Sequence, residues 1–84
     1  MTNGPNDHTI ADIKDEVRRA RSKHTGNRHM LAALMEEVGE LAQALLQGKD
    51  PGDVRKEAVQ VACVAIRLIE EGDADFSDGT KGKP

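Results

Sequence analysis

The chain has 84 residues, with 12 basic and 15 acidic side chains for a net charge of −3, one Phe, and neither Tyr nor Trp. That length holds one domain, and 37% apolar composition gives it a thin core, which excludes a large self-contained enzyme but not a small oligomer. One cysteine excludes an internal disulfide and points to a reducing, cytosolic setting; no apolar run approaches the roughly 18–20 residues that span a bilayer, and the acidic balance gives nucleic acid no global attraction.

Residues 1–8 are polar, contain Gly4 and Pro5, and read as a flexible leader to a single helical domain over residues 9–72. Thr9 is expected to cap a first helix from about Ile10 to Lys23, because Ile10, Ile13 and Val17 fall at helical spacing. Its other faces are basic. Six basic residues from Lys14 to Arg28 read as a solvated face rather than a nucleic-acid surface. Thr25-Gly26-Asn27 breaks the pattern. Leu31, Leu34, Val38, Leu41 and Leu45 then predict a second helix from about Arg28 to Leu46, stopped by Gly48. Asp50 and Pro51 restart the chain with a cap and a first-turn proline, and a third helix is expected from Pro51 to about Glu71, ended by Gly72. Val61, Val64, Ile66, Leu68 and Ile69 cover more than one side of it, which predicts that it faces both its own domain and a second chain. Residues 73–84 have no period and read as a flexible tail. The expected fold class is all-α: a short helical hairpin plus an N-terminal helix.

Two helix faces carry paired oxygen ligands. Glu37 and Glu40 are three apart on helix two, with Glu36 beside them, and Glu57 and Gln60 repeat the spacing on helix three. An antiparallel hairpin across the Gln47 to Asp50 turn would bring these pairs to one level. Three carboxylates and a carboxamide oxygen suit Mg²⁺ or Mn²⁺, hard cations that bridge to phosphate oxygens. By spacing alone, a solvated acidic face is the commoner reading of such a pattern on a small helical protein. No His or Cys cluster has zinc spacing, and Cys63 on an apolar helix reads as a packed thiol with no base placed to activate it.

The local string carries more than the spacing does. The run Ala33-Leu-Met-Glu-Glu-Val-Gly-Glu-Leu-Ala-Gln-Ala-Leu-Leu46, followed by Arg55-Lys-Glu-Ala-Val59, resembles the MazG-like family of all-α nucleoside triphosphate pyrophosphohydrolases. That family's pattern is Glu-Glu-x-x-Glu, a spacer, then Glu-x-x-Asp. Here Glu36, Glu37 and Glu40 form the first part, 16 residues intervene, and Glu57 opens the second; the resemblance runs from about Ile10 to Glu71. It departs at Gln60, which stands where the family has aspartate and contributes an oxygen without a charge.

The resemblance implies a divalent cation, Mg²⁺ or Mn²⁺, held by Glu37, Glu40 and Glu57 with Gln60 in the fourth position. It implies cleavage of a nucleoside triphosphate to a nucleoside monophosphate and pyrophosphate. Glu36 is the candidate for positioning or deprotonating the attacking water, and an exposed helix glutamate is its plain structural alternative. Lys49 in the turn and Arg67 on the Glu57 face are candidate phosphate contacts, or solubilising surface residues. Base recognition is expected from a neighbouring chain or near Asn27 and His29. Intertwined dimers, sometimes paired into tetramers, would build a four-helix core from helices two and three of both chains. The missing fourth carboxylate leaves a second expectation: a helical dimer of this kind with weakened metal binding, serving as a regulatory or interaction module.

Overall fold

The computed structural model describes residues 3–76 and is all-helical over them. The elements are α1 (Asp7–Lys23), α2 (Met30–Leu46) and α3 (Pro51–Glu71). The expected tail beyond Phe76, like the first two residues of the leader, lies outside the described residues. Helix α3 is central. It packs against α1 on one side and α2 on the other, while α1 and α2 do not touch each other. Among the described residues the buried apolar side chains are Val17 of α1, Met30 and Ala44 of α2, and Cys63 of α3. Burial raises the Cys63 thiol pKa, with Glu16 adding to the shift, as suits a packed side chain rather than a nucleophile.

The start of α1 differs from the sequence expectation. Asn6, not Thr9, is the cap: its side-chain oxygen accepts the Thr9 amide at 2.7 Å, and Asp7 places an acidic group in the first turn. Helix α3 begins as expected, with the Asp50 carboxylate accepting the Asp53 amide at 3.0 Å and Pro51 in the first turn. Gly48 follows α2 at φ 66°, and Gly72 follows α3 at φ 71°, left-handed positions where a Cβ would be strained.

The start of α2 is built from a distance. His29 sits in the left-handed region at φ 61°, ψ 27°, and offers no side-chain cap, so regular helix begins at Met30 rather than near Arg28. The acceptors come from beyond Gly72. Asp73 Oδ2 accepts the Leu31 amide at 2.8 Å, and Asp75 Oδ2 accepts the His29 amide at 2.8 Å. Asp75 also pairs with Arg28 at 3.1 Å, and the Ala74 amide donates to the Asn27 carbonyl at 3.0 Å. Residues 73–76, read from sequence as part of a flexible tail, therefore fold back on the α1–α2 loop, and Asp73 is buried. Burial alone would raise the Asp73 pKa. Amides of Leu31, Asp75 and Met30 outweigh it and hold this carboxyl below its ordinary range.

Exposed apolar surface is concentrated on α2. Leu31, Met35, Val38 and Leu45 form a stripe at helical spacing, and Leu46 is 88% exposed. On α3 only Ile69 among the large apolar side chains is comparably open. Of the apolar surplus expected on α3, Val61, Val64, Ile66 and Leu68 are half-buried where α1 and α2 pack against it, and Ile69 stays open.

Candidate metal centre

The α2–α3 hairpin brings Glu37, Glu40 and Glu57 together. One carboxylate oxygen from each lies within 4.8 Å of the other two, with Glu40 exposed and Glu37 and Glu57 half-buried. The i,i+3 step puts Glu37 and Glu40 on neighbouring turns of α2, and the four-residue connection returns Glu57 to the same level on α3. Glu37 is the unusual member. Its Oε1 is buried and has no hydrogen-bond partner. Burial first, then the charges of Glu40, Glu57 and Glu36, raises its pKa.

These residues fit a hard divalent cation. Every donor is oxygen, and the three lie within 4.8 Å of one another, near enough for one ion to be shared among them. A cation there would give the orphaned Glu37 oxygen a partner and offset the repulsion among three acidic groups. Among the described residues, no second group of three His, Cys, Asp or Glu converges in this way.

The carboxylates stand between two cavities. The larger, about 490 Å³, lies under the end of α1 and the α1–α2 loop; Glu36, Glu37, Gln60 and Arg67 are on its walls. The smaller, about 410 Å³, is at the hairpin end and is lined by Glu40, Glu57 and Lys49. Comparison of the chain with family models, with curated proteins and with solved structures gave no match.

The remaining candidate positions separate clearly. Glu36 is exposed on the wall of the larger cavity, beside Glu37. Gln60, one turn after Glu57 on α3, lines that cavity too and is half-buried. Lys49 lies on the opposite side of the carboxylates. Arg67 is only 5% exposed. Its Nη2 donates to the carbonyls of Gly26 at 2.8 Å and His24 at 3.1 Å, and its Nε donates to Glu71 at 3.1 Å. That makes Arg67 a strut under the α1–α2 loop, not the open surface cation its sequence position suggested. Glu71 also takes Arg21 Nε at 2.7 Å. Arg67 is the main cause, and Arg21 a further one, of the lowered Glu71 pKa.

Of the two base-recognition candidates, His29 reaches the larger cavity. Asn27 is spent on structure, donating to the Glu71 carbonyl at 2.6 Å. Sequence reasoning missed three side chains on that cavity's basic wall, Arg19, Lys23 and Arg28. Their signal was the basic run from Lys14 to Arg28, across α1 and the loop after it, which reads as solvated while the cavity is unknown.

Proposed function

We propose that the protein is a divalent-metal-dependent nucleoside triphosphate pyrophosphohydrolase, as its resemblance to MazG-like enzymes implies. The observation that carries this is the buried, unpartnered Oε1 of Glu37 within a three-carboxylate cluster. A merely solvated acidic face would leave each oxygen to water. Glu37, Glu40 and Glu57 would hold Mg²⁺ or Mn²⁺, with Gln60 contributing a neutral oxygen. When bound, the ion supplies positive charge to the triphosphate and lowers the pKa of water.

The chain's own residues have distinct tasks. Glu36, which lines the larger cavity and has no ion pair among the described residues, would accept the proton of the attacking water. Water oxygen bonds to phosphorus while the bond linking the α- and β-phosphoryl groups breaks. The products are nucleoside monophosphate and pyrophosphate, and the proton passes through Glu36 to solvent. Arg67 and Asp73 act indirectly by fixing the α1–α2 loop that roofs this cavity. With no Tyr or Trp in the chain, the nucleobase meets no stacking platform from them, so selectivity for the base is expected to be loose.

The protein works as a dimer or tetramer in this reading. The second copy of the chain covers the Leu31, Met35, Val38 and Leu45 stripe, which continues along one side of α2 away from Glu36 and Glu40. Four buried apolar side chains among the described residues are a small core for a monomer, and a self-complementary helix face would extend it. Incubation with a panel of nucleoside and deoxynucleoside triphosphates, with Mg²⁺ and with Mn²⁺, tests the activity. Pyrophosphate release above that of Glu40→Ala is expected; parity with that variant across the panel and both metals would refute it.

A further inference from the structure

The two cavities beside the carboxylates differ in charge. On the larger one, Arg19, Lys23, Arg28 and Arg67 face Glu16, Glu36 and Glu37. On the smaller one, Lys49 and Lys56 face Glu40, Asp53 and Glu57. Cations outnumber carboxylates on the first and are outnumbered on the second. Arg19 pairs with Glu16 at 3.2 Å but leaves most of its side chain exposed, whereas Arg67 is buried and tied to the loop carbonyls. Arg28 has Asp75 at 3.1 Å but remains largely exposed. Lys23, in the last turn of α1, has no ion pair among the described residues. An exposed ammonium without an ion pair, on the wall of a cavity that Glu37 also lines, is a ready contact for a phosphoryl oxygen.

Resting on the pyrophosphohydrolase reading, we propose that the substrate's oligophosphate lies in the larger cavity, held by Lys23 with Arg19 and Arg28, and not on the Lys49 side. The volume, about 490 Å³, is within the range of small-ligand pockets. Met30, Ala33 and Val64 supply an apolar part of the same wall, where a nucleoside can rest without losing polar contacts. The placement also explains the role of the loop: Arg67, Asp73 and Asp75 hold residues 24–31 in a fixed course, which keeps Arg28 beside the cavity.

Inorganic tripolyphosphate is the probe, because it carries the phosphates without a base. Calorimetric titration would compare wild type, Lys23→Ala, Arg19→Ala and Lys49→Ala, each with and without Mn²⁺, after circular dichroism has shown unchanged helicity. Lys23→Ala and Arg19→Ala should each weaken tripolyphosphate binding about tenfold, the loss of one hydrogen bond to a charged group. Lys49→Ala should bind as wild type does, and Mn²⁺ affinity without phosphate should be the same in all four. Tripolyphosphate loss in Lys49→Ala with Lys23→Ala unaffected would overturn the placement, as would a wild type that binds Mn²⁺ but no tripolyphosphate. Binding that depends on Lys23 in a protein that takes up no Mn²⁺ would support the phosphate site while removing the metal-dependent function.

Discussion

The carboxylate of Asp73 accepts the backbone amide of Leu31 at 2.8 Å, across 42 positions of sequence. This bond supplies the cap that His29 cannot, and it ties the end of α3 to the roof of the larger cavity. Asp73 also receives the Asp75 amide at 2.9 Å, which in turn places Asp75 against Arg28 and His29.

Replacing Asp73 therefore acts on α2 rather than on a loose end. Asp73→Ala should lower the melting temperature by about 4–8 °C, the scale of a lost helix cap in a small domain. Asp73→Asn keeps an acceptor and should fall between the two. Because the folded carboxyl sits below its ordinary value of 3.8, this stabilisation is present above that pH and is lost as pH falls through the lower folded value. Thermal melts of the three proteins from neutral to acidic pH would check both points. Equal melting temperatures for Asp73→Ala and wild type would contradict the cap.

Glu37 has the opposite sign. Its folded pKa is raised above 4.5, so its contribution is fully present below that value and is lost as pH rises through the folded value. Metal-free Glu37→Gln should thus be more stable than wild type at pH 7, by about 1 kcal/mol at low salt, from relief of three acidic neighbours at roughly 0.2–0.5 kcal/mol each. The same change should abolish Mn²⁺ binding. In wild type, saturating Mn²⁺ at about 100 times its Kd should add about 2.7 kcal/mol. Denaturant titrations with Mn²⁺ and with chelator measure both effects; a Glu37→Gln protein less stable than metal-free wild type would contradict the repulsion.

Gln60 is the position where an extra charge should help. Gln60→Asp adds a fourth carboxylate beside Glu57 and should tighten Mn²⁺ binding by about tenfold, while lowering metal-free stability slightly through added repulsion. Calorimetry with Mn²⁺ on both proteins is the check. Unchanged affinity would place residue 60 outside the ligand set.

The apolar stripe of α2 makes a separate prediction. Val38→Lys puts a charge at 42% exposed Val38, between Met35 and Leu45, where a single chain tolerates it and an interface between copies does not. Light-scattering mass should show wild type as a dimer or larger and Val38→Lys as a monomer. A folded wild-type monomer at micromolar concentration would remove self-association.

Much of the fold is legible in residue order because it is local. Pro51 and Asp50 mark the start of α3 and Gly72 marks its end, while the leucine spacing of α2 gives the helix but not its inward side: Leu34 and Leu41 face inward with the buried Met30 and Ala44, and Leu31, Val38 and Leu45 are exposed. The triad follows from two i,i+3 pairs and a short turn, so residue order alone groups Glu37, Glu40 and Glu57. Long-range polar pairing was not legible. Asp73 and Asp75 sit in a stretch without period, and only the return of α3 toward the α1–α2 loop gives them amides to accept. Arg67 likewise reads as a surface cation until Gly26 and His24 turn their carbonyls toward it. Lys23 and Arg28 acquire meaning only when the gap between α1 and α2 becomes a cavity.

The most direct measurement is pyrophosphate release from nucleoside triphosphates by wild type and Glu40→Ala at matched, high protein concentration, with Mn²⁺, with Mg²⁺ and with chelator. Nucleoside monophosphate and pyrophosphate should form in equal amounts with wild type and metal, and fall at least a hundredfold with Glu40→Ala or chelator. Release that is the same in the variant, or that persists in chelator, would contradict a metal-dependent pyrophosphohydrolase built on Glu37, Glu40 and Glu57.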